Sequence, residues 1–172
     1  NARQRNYSVS LSYHTSGDII NYVWNYHPVR TPDEELIHHL SVDYQSFTGY
    51  DVTFGWDWYQ TNGDTDDFSY GTRGGIDTTI ELADYNEEQV IGINLPAVMS
   101  LLEQADRGVR GIVTDAMTGE PLEAAIWVEE RWWPVFTDPA VGDYHRLLLP
   151  GTYTVTAWAE GYEKMTIEGV EV

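Results

Sequence analysis

The feature that most constrains this chain is a change of sequence pattern near Arg107–Gly108. Before that point, strand-like segments alternate with helical ones, which favours a layered α/β arrangement. After it, short alternating segments are separated by turns such as Thr118-Gly119 and Pro150-Gly151, a pattern typical of a small β-sandwich. We therefore predict an α/β domain over residues 1–107 and an all-β domain over residues 108–172.

Apolar runs in the first region predict three strands. They lie at residues 7–13, ending just before His14, at residues 18–24 and at residues 76–82, with Glu81 near the end of the third. Residues 58–75 contain many polar residues and glycines, and we expect them to form a loop.

Two helices are predicted in the same region. The first begins with Thr31 as its N-cap and Pro32 at its first position, and it ends at Gly49. The second is expected from about Pro96 to Ala105, with Asn94 as its cap.

Charge and composition exclude several classes of function. The chain has 28 acidic and 9 basic residues, and its net charge of −19 repels nucleic acids and anionic membranes. It contains no Cys, which excludes disulfides and thiol catalysis, and no apolar run long enough to span a bilayer. The acidic surface fits either simple solubility or a high-salt source.

Five short motifs in the first region follow one another in an informative order. They are His14 with Asn21-Tyr22, Thr31-Pro32-Asp33, Gly55-Trp56-Asp57-Trp58-Tyr59, Asp67-Phe68-Ser69-Tyr70 and Glu81-Leu82. Together they resemble the C-terminal part of the catalytic domain of zinc carboxypeptidases, and Tyr59 and Glu81 are separated as in that family. The resemblance implies the mixed-sheet, carboxypeptidase A/B-like α/β fold for residues 1–107.

The second region resembles another part of related proteins. Its motifs Gly108-Val-Arg-Gly111, Gly142-Asp-Tyr144 and Leu149-Pro-Gly-Thr-Tyr153 are similar to the transthyretin-like domain that follows the catalytic domain in the carboxypeptidase D, E, M and N group. The resemblance implies a small all-β transthyretin-like sandwich over residues 108–172. A Trp132-Trp133 pair in this region could bind a sugar, although packing in the core or at a domain interface is the simpler interpretation.

The resemblance implies roles for four side chains. His14 would be a zinc ligand, and Glu81 would be the base that moves a proton from metal-activated water to the leaving amine. Tyr59 would close over the substrate and bind its terminal carboxylate, and Asp66 would lie at the floor of the pocket for the C-terminal side chain. From the residues alone, His14 could be a surface or core histidine, Glu81 a solvent-facing side chain on an edge strand, and Tyr59 a ring packed on neighbouring tryptophans.

Asp66 bears on specificity, because a buried cation needs an acidic partner. Regulatory-type enzymes of the family place their acidic determinant three residues after Asn-Tyr, where this chain has Asn25. The prediction is a preference for basic C-terminal residues or a broad preference. Residues 64–67 could instead bind calcium, but they lack the Gly that an EF-hand loop requires at its sixth position.

The chain lacks other residues that the resemblance requires. None of its His residues has Glu three positions later, so the His-x-x-Glu motif that supplies the other zinc ligands is absent. We therefore expect the chain to be the C-terminal part of a carboxypeptidase, to bind zinc poorly and to be inactive alone. Its expected partners are peptide or protein C-termini, and either the missing N-terminal part of the catalytic domain or a second copy.

Two functions remain open at this stage. The first is zinc-dependent hydrolysis of the last peptide bond, in a secreted or periplasmic bacterial protein whose signal segment lies outside this chain. The second is a non-catalytic binding or adhesion module built on a degenerate carboxypeptidase scaffold. The retention of His14, Tyr59 and Glu81 at the spacing of the family favours the enzyme.

Overall fold

A computed structural model describes residues 7–172. The chain divides into two compact units: Val9–Asp106 form one, and Arg107–Val172 together with Ser8 belong to the other. Within the described residues, no helix has the length and apolar composition needed to cross a membrane.

A four-stranded mixed sheet forms the centre of the first unit. Its strands are β1 (Val9–Thr15), β2 (Ile19–Tyr22), β3 (Asp51–Phe54) and β4 (Ile76–Leu82), in the spatial order β1-β4-β2-β3. β1 is parallel to β4, and β2 is parallel to β3 but antiparallel to β4. The mixed α/β class predicted for this region is confirmed, and the strand predicted at residues 76–82 has the predicted bounds.

Four helices accompany this sheet. They are α1 (Glu34–Thr48), α2 (Gly55–Trp58), α3 (Thr65–Arg73) and α4 (Glu87–Ala105). The long helices α1 and α4 pack together, and the core combines Tyr44 of α1 and Ala97 of α4 with Ile20 and Ile80 of the sheet. One face of the sheet is therefore apolar and covered by helices.

The opposite face of the sheet is polar, because residues alternate sides along a strand. In β4, Ile76, Thr78 and Ile80 point to one side, and Asp77, Thr79 and Glu81 point to the other. Helix α3 packs against β4, and its Asp66 accepts a hydrogen bond from Thr79 on this polar side. The alternation in β4 thus divides the unit into an apolar core and a buried polar layer.

The expectation of a loop over residues 58–75 is wrong, because it contains α3. The Asp64 side chain accepts a hydrogen bond from the Asp67 backbone N–H at 2.9 Å and caps the helix. Asp66 and Asp67 suit the positive end of the helix dipole, and Gly74, with φ of 66°, ends the helix in the left-handed conformation. These capping residues outweigh the turn-forming composition of the segment.

The starts of the two longer helices also differ from the prediction. α4 begins at Glu87, because Asn86 and Gln89 form a reciprocal capping box, and Pro96 lies inside the helix. Asn94 is consequently a buried helical residue rather than a cap.

In α1, Asp33 occupies the N-cap position, two residues later than the predicted Thr31. Thr31 and Pro32 form a preceding turn in which the Glu34 N–H donates to the Thr31 carbonyl. The predicted end at Gly49 is confirmed, with φ of 72°.

The second unit consists of six strands without a helix among its described residues. They are β5 (Val109–Ile112), β6 (Ala124–Val128), β7 (Val135–Phe136), β8 (Asp143–Arg146), β9 (Thr152–Ala159) and β10 (Met165–Glu171). β10-β9-β6-β7 form one antiparallel sheet, and β5 pairs with β8 in another. Gly108, with φ of 113°, immediately precedes β5, and a Cβ at this position would lie 2.1 Å from the Arg146 carbonyl oxygen.

Candidate functional site

His14 and Glu81 are adjacent at the C-terminal ends of two parallel strands. The register of β1 and β4 pairs them directly, and His14 Nδ1 lies 3.1 Å from Glu81 Oε2. The His14 side chain is 72% exposed, whereas the Glu81 side chain is 6% exposed. The pair therefore combines a rigidly held carboxylate with an imidazole that remains accessible from solvent.

Glu81 is held by its neighbours on both sides. β4 is an inner strand, so Glu81 lies between β1 and Ile19 of β2 rather than on an edge strand. A Cβ added to Gly17 would lie 3.3 Å from Glu81 Cβ, so the glycine backbone packs directly against this side chain. Burial between strands fixes the direction in which the carboxylate points.

A row of hydrogen bonds continues from this pair along the polar face. Ser10 and Ser12 of β1 donate to the two oxygens of Asp77 at 2.8 and 3.0 Å. Asp77 is 4% exposed and lies on the same side of β4 as Glu81. The two strands that carry His14 and Glu81 are thus joined by side chains as well as by backbone pairing.

Asp66 lies deeper on the same face and is fully buried. Its Oδ1 accepts a hydrogen bond from Thr79 Oγ1 at 3.0 Å, and its Oδ2 has no hydrogen-bond partner among the described residues. Burial, helped by the negative charges of Asp77 and Asp64, raises the pKa of Asp66 from 3.8 to about 8. At neutral pH this carboxyl group is therefore mainly protonated when no cation is near it.

A second buried group lies beside α3. Asn21 Nδ2 donates to Asn25 Oδ1 at 2.7 Å, and the Asn25 backbone N–H donates to Asp67 Oδ1 at 2.9 Å. Gly55 faces Asn25 so closely that a Cβ there would lie 1.9 Å from Asn25 Oδ1. Asn21 Oδ1, Asn25 Nδ2 and Asp67 Oδ2 have no hydrogen-bond partner within residues 7–172, which is unusual for buried polar atoms.

Tyr59 follows the short helix α2 and is exposed. Its ring makes an edge contact with Trp58 at a centroid distance of 4.4 Å. The backbone on either side is anchored, because the Trp56 N–H donates to the Trp24 carbonyl and the Thr61 N–H donates to the Asn25 carbonyl. The exposed Tyr59 ring therefore lies between two backbone positions that are held by hydrogen bonds.

The structure brings His14, Glu81 and Asp66 to one face of the sheet. Tyr59 lies on a separate segment and makes no hydrogen bond to them among those described. Sequence reasoning missed Asp77 and Thr79, although the alternation of Asp77, Thr79 and Glu81 in β4 was visible.

The donor set for a metal ion is incomplete among the described residues. A catalytic zinc site uses three protein ligands and keeps one position open. His14 offers an accessible imidazole, but within residues 7–172 no three His, Cys, Asp or Glu side chains are grouped so that they could hold a metal ion. His14 fits the role of one ligand, and the other ligands are not provided by the described residues.

Comparison with known proteins identifies the family. Residues 1–107 match the sequence model of the family described as zinc carboxypeptidase. This chain belongs to the zinc carboxypeptidase family. It is 36% identical over 127 residues to carboxypeptidase D of Anas platyrhynchos, an alignment that covers 70% of this chain and 9% of the relative.

Two further relatives are similar over most of this carboxypeptidase-family chain. It is 30% identical over 197 residues to the carboxypeptidase N catalytic chain of Rattus norvegicus, with 96% of the chain and 43% of the relative covered. It is also 30% identical over 188 residues to carboxypeptidase Z of Gallus gallus, with 91% and 29% covered. The chain thus spans less than half the length of these curated relatives.

Proposed function

We propose that this chain is the C-terminal part of a zinc-dependent carboxypeptidase that hydrolyses the last peptide bond of peptides or proteins. The observation that carries the proposal is the pairing of an exposed His14 with a buried Glu81 at the ends of parallel strands. Strand ends of this kind are where α/β folds place their sites. The family membership of the chain supports the same reaction.

Glu81 is proposed to act as the general base and then as the general acid. A zinc ion held by His14 and by ligands outside this chain would supply a water of lowered pKa and polarise the scissile carbonyl. Glu81 Oε2 would take the proton from that water and transfer it to the leaving amine. Burial between β1 and β2 holds the Glu81 carboxylate in position for both transfers.

Asp66 is proposed to select basic C-terminal side chains or to allow a broad preference. Its Oδ2 is the buried acceptor that a guanidinium or ammonium group needs. Because the pKa of Asp66 is raised to about 8, binding of a cation would displace a proton from it. Affinity for a C-terminal Arg should therefore increase as the pH rises towards 8.

Tyr59 is proposed to bind the terminal carboxylate of the substrate through its hydroxyl. The exposed ring and the anchored ends of its segment support a local movement of this side chain. Its role would be binding, so its loss should raise KM more than it lowers kcat.

Residues 108–172 are proposed to form the transthyretin-like domain of the carboxypeptidase D, E, M and N group. The two antiparallel sheets and the absence of helices among these residues support that proposal. A secreted or periplasmic location is proposed for the protein on the basis of the resemblance.

The partner proposal rests on the side of β1 that pairs with no other strand among residues 7–172. β1 is an edge strand, and an edge presents unpaired backbone groups to any neighbouring chain. An apolar recess beside it is lined by Val9, Leu11, Ile20, Leu40, Ile76 and Leu101. We propose that the N-terminal part of the catalytic domain covers this side, and that a second copy covers it when the chain is produced alone.

Hydrolysis is tested in the complete protein that contains this chain. Glu81→Gln should lower kcat for a C-terminal Arg substrate by about 100-fold or more, the usual contribution of a general base. It should leave the zinc content unchanged, whereas His14→Ala should remove bound zinc. Glu88→Gln, an exposed carboxyl group in the first turn of α4, is the matched control and should change neither quantity.

Three results would count against the proposal. Near-normal kcat in Glu81→Gln would remove Glu81 from the mechanism. Full zinc content in His14→Ala would remove His14 as a ligand. Absence of any hydrolysis or zinc in the complete protein would favour the non-catalytic binding module.

The chain alone provides a separate test. Residues 1–172 should release neither C-terminal Arg nor Leu with added zinc, and light scattering should give the mass of an oligomer. Robust zinc-dependent release by a pure monomer would mean that all ligands come from this chain, and the roles given to His14 and Glu81 would have to be abandoned.

A further inference from the structure

The buried polar face of the first unit holds a second carboxyl group, Asp77, which has no part in the proposed reaction. Asp77 lies on β4 and is 4% exposed. Ser10 and Ser12 of β1 donate to its two oxygens at 2.8 and 3.0 Å. These donors are uncharged hydroxyl groups, so they hold the carboxylate in one orientation without cancelling its charge.

The first turn of α3 places Asp66 next to Asp77. Ser12 of β1 and Thr79 of β4 are paired in register. Thr65 Oγ1 donates to Ser12 Oγ at 3.2 Å, and the next residue, Asp66, accepts from Thr79 Oγ1 at 3.0 Å. Consecutive residues of α3 thus bind the two members of one register pair. Asp77 precedes Thr79 by two residues on the same side of β4, about 7 Å along the strand.

The hydrogen bonds of Asp66 leave one of its oxygens available. Thr79 binds Oδ1, whereas Oδ2 has no hydrogen-bond partner within residues 7–172, although the side chain is fully buried. An unpartnered buried carboxyl oxygen is unusual. Oδ2 is therefore the atom of Asp66 that a substrate side chain would contact.

The groups that surround Asp66 are acidic. Asp77 and Glu81 lie on the same side of β4, and Asp64 and Asp67 lie at the start of the helix that carries Asp66. None of the ion pairs described within residues 7–172 includes Asp66 or Asp77. After burial, the repulsion by Asp77 is the largest cause that raises the pKa of the Asp66 carboxyl group.

Other titratable groups near α3 are engaged elsewhere. Asp33 accepts a hydrogen bond from Tyr70 of α3 at 2.8 Å, and Arg73 lies in the last turn of that helix. His14 contacts Glu81 at the end of the strands. Asp77 is therefore the neighbouring charge that matters most for Asp66.

We propose that Asp77 is a positioning residue for substrate specificity, whose charge makes the proton on Asp66 exchangeable for a cationic substrate side chain. The inference rests on the proposed carboxypeptidase function, because it requires a substrate side chain at Asp66. With its proton, Asp66 is neutral, and the pocket can receive an apolar side chain such as Leu. When a guanidinium or ammonium group enters, Asp66 releases its proton to solvent, and the cation takes the place of that proton beside the two carboxylates.

One pocket would then have two preferences that are selected by pH. Below the pKa of Asp66, about 8, the protonated form predominates and favours Leu. The ratio of kcat/KM for C-terminal Arg to kcat/KM for C-terminal Leu should rise with pH, by up to about tenfold per pH unit below that pKa. Titrations in the hydrolytic step affect both substrates alike and cancel in this ratio.

The first measurement is a pH titration of the Asp66 carboxyl carbon by NMR in the full 172-residue chain. Asp77→Asn keeps the shape of the side chain but removes its charge. It should lower the titration midpoint of Asp66 by about one pH unit or more, the effect expected of a like charge about 7 Å away inside a protein. Asp84→Asn, an exposed carboxyl group after β4, is the matched control and should leave the midpoint unchanged.

The second measurement is the Arg-to-Leu ratio of kcat/KM from pH 5.5 to 9 in the complete protein. The ratio should rise with pH in the unchanged protein, and the same rise should occur at lower pH in Asp77→Asn, by the shift that NMR gives. Circular dichroism should show that each variant is folded.

The results separate this inference from the hydrolysis on which it rests. Equal NMR midpoints for Asp66 in Asp77→Asn and in the unchanged chain would overturn it. So would a ratio that does not change with pH in an active unchanged protein, a result that needs no variant and leaves the hydrolysis intact. If the complete protein hydrolyses neither substrate, the proposed function is wrong and the role of Asp77 in specificity is lost with it.

Discussion

Replacing Asp66 by Asn should make stability less dependent on pH. The carboxyl group is fully buried, and its pKa is raised from 3.8 to about 8, first by desolvation and then by Asp77 and Asp64. The folded protein therefore holds a proton that the unfolded chain releases. This contribution to stability is fully present below pH 3.8 and is lost as the pH rises to about 8.

The magnitude follows from the difference between the two pKa values. Each pH unit in this window removes about 1.4 kcal/mol of unfolding free energy, so the loss between pH 3.8 and pH 7 is at most about 4.5 kcal/mol. Asn has the same shape, can still accept the hydrogen bond from Thr79, and does not ionise. Asp66→Asn should therefore be more stable than the unchanged protein at pH 7, by about 2–4 kcal/mol, and similar to it near pH 4.

The assay is urea denaturation at fixed protein concentration from pH 4 to pH 8, since self-association would make the midpoint depend on concentration. Asp84→Asn, an exposed carboxyl group in the loop after β4, controls for the change in net charge. A constant difference between Asp66→Asn and the unchanged protein at every pH would refute the reasoning, because it would mean that the pKa of Asp66 is the same in the folded and the unfolded protein.

Three further predictions concern specificity and the framework of the site. In the complete enzyme, Asp66→Ala should reduce kcat/KM for C-terminal Arg more than for C-terminal Leu, and equal losses would show that Asp66 does not face the substrate side chain. Tyr50→Phe removes the hydroxyl that accepts a hydrogen bond from the Ala83 N–H just beyond β4. The change should lower the free energy of unfolding by about 1–2 kcal/mol and speed hydrogen exchange at the Ala83 amide, and unchanged exchange would contradict this. Asn86→Ala should cost about 1 kcal/mol by removing the cap of α4, and an unchanged denaturation midpoint would show that the capping box with Gln89 is not needed.

The strands and the site could be predicted from sequence to different degrees. The run of β-branched residues at 76–82 coincides with strand β4, so the predicted bounds of this strand are correct. A start of α4 at Pro96 is wrong, because a proline at this position resembles a helix start although the capping residue Asn86 lies ten positions earlier. Turn-forming residues likewise favour a loop where α3 forms. The Asp64 side chain caps this helix by accepting a hydrogen bond from the Asp67 N–H, within one helical turn.

The pairing within the site depends on long-range packing. His14 and Glu81 are far apart in sequence, and nothing local determines that β1 lies beside β4 with these two residues in register. The family resemblance proposed both residues, but not their contact or the difference in their exposure. The raised pKa of Asp66 likewise depends on burial by β4 and on Asp77, which its own segment does not contain.

The alternation of apolar and polar residues in β4 also favours the correct register of this strand during folding. If β4 shifted by one residue against its neighbours, Glu81 and Asp77 would enter the apolar core and Ile80 would replace the carboxylate beside His14. Burying two unpaired carboxyl groups costs far more free energy than the hydrogen bonds and contacts of a misaligned pair of strands would provide. Chains that misplace Glu81 are therefore the ones least able to complete their core, so a folded molecule carries its carboxylate in the right position.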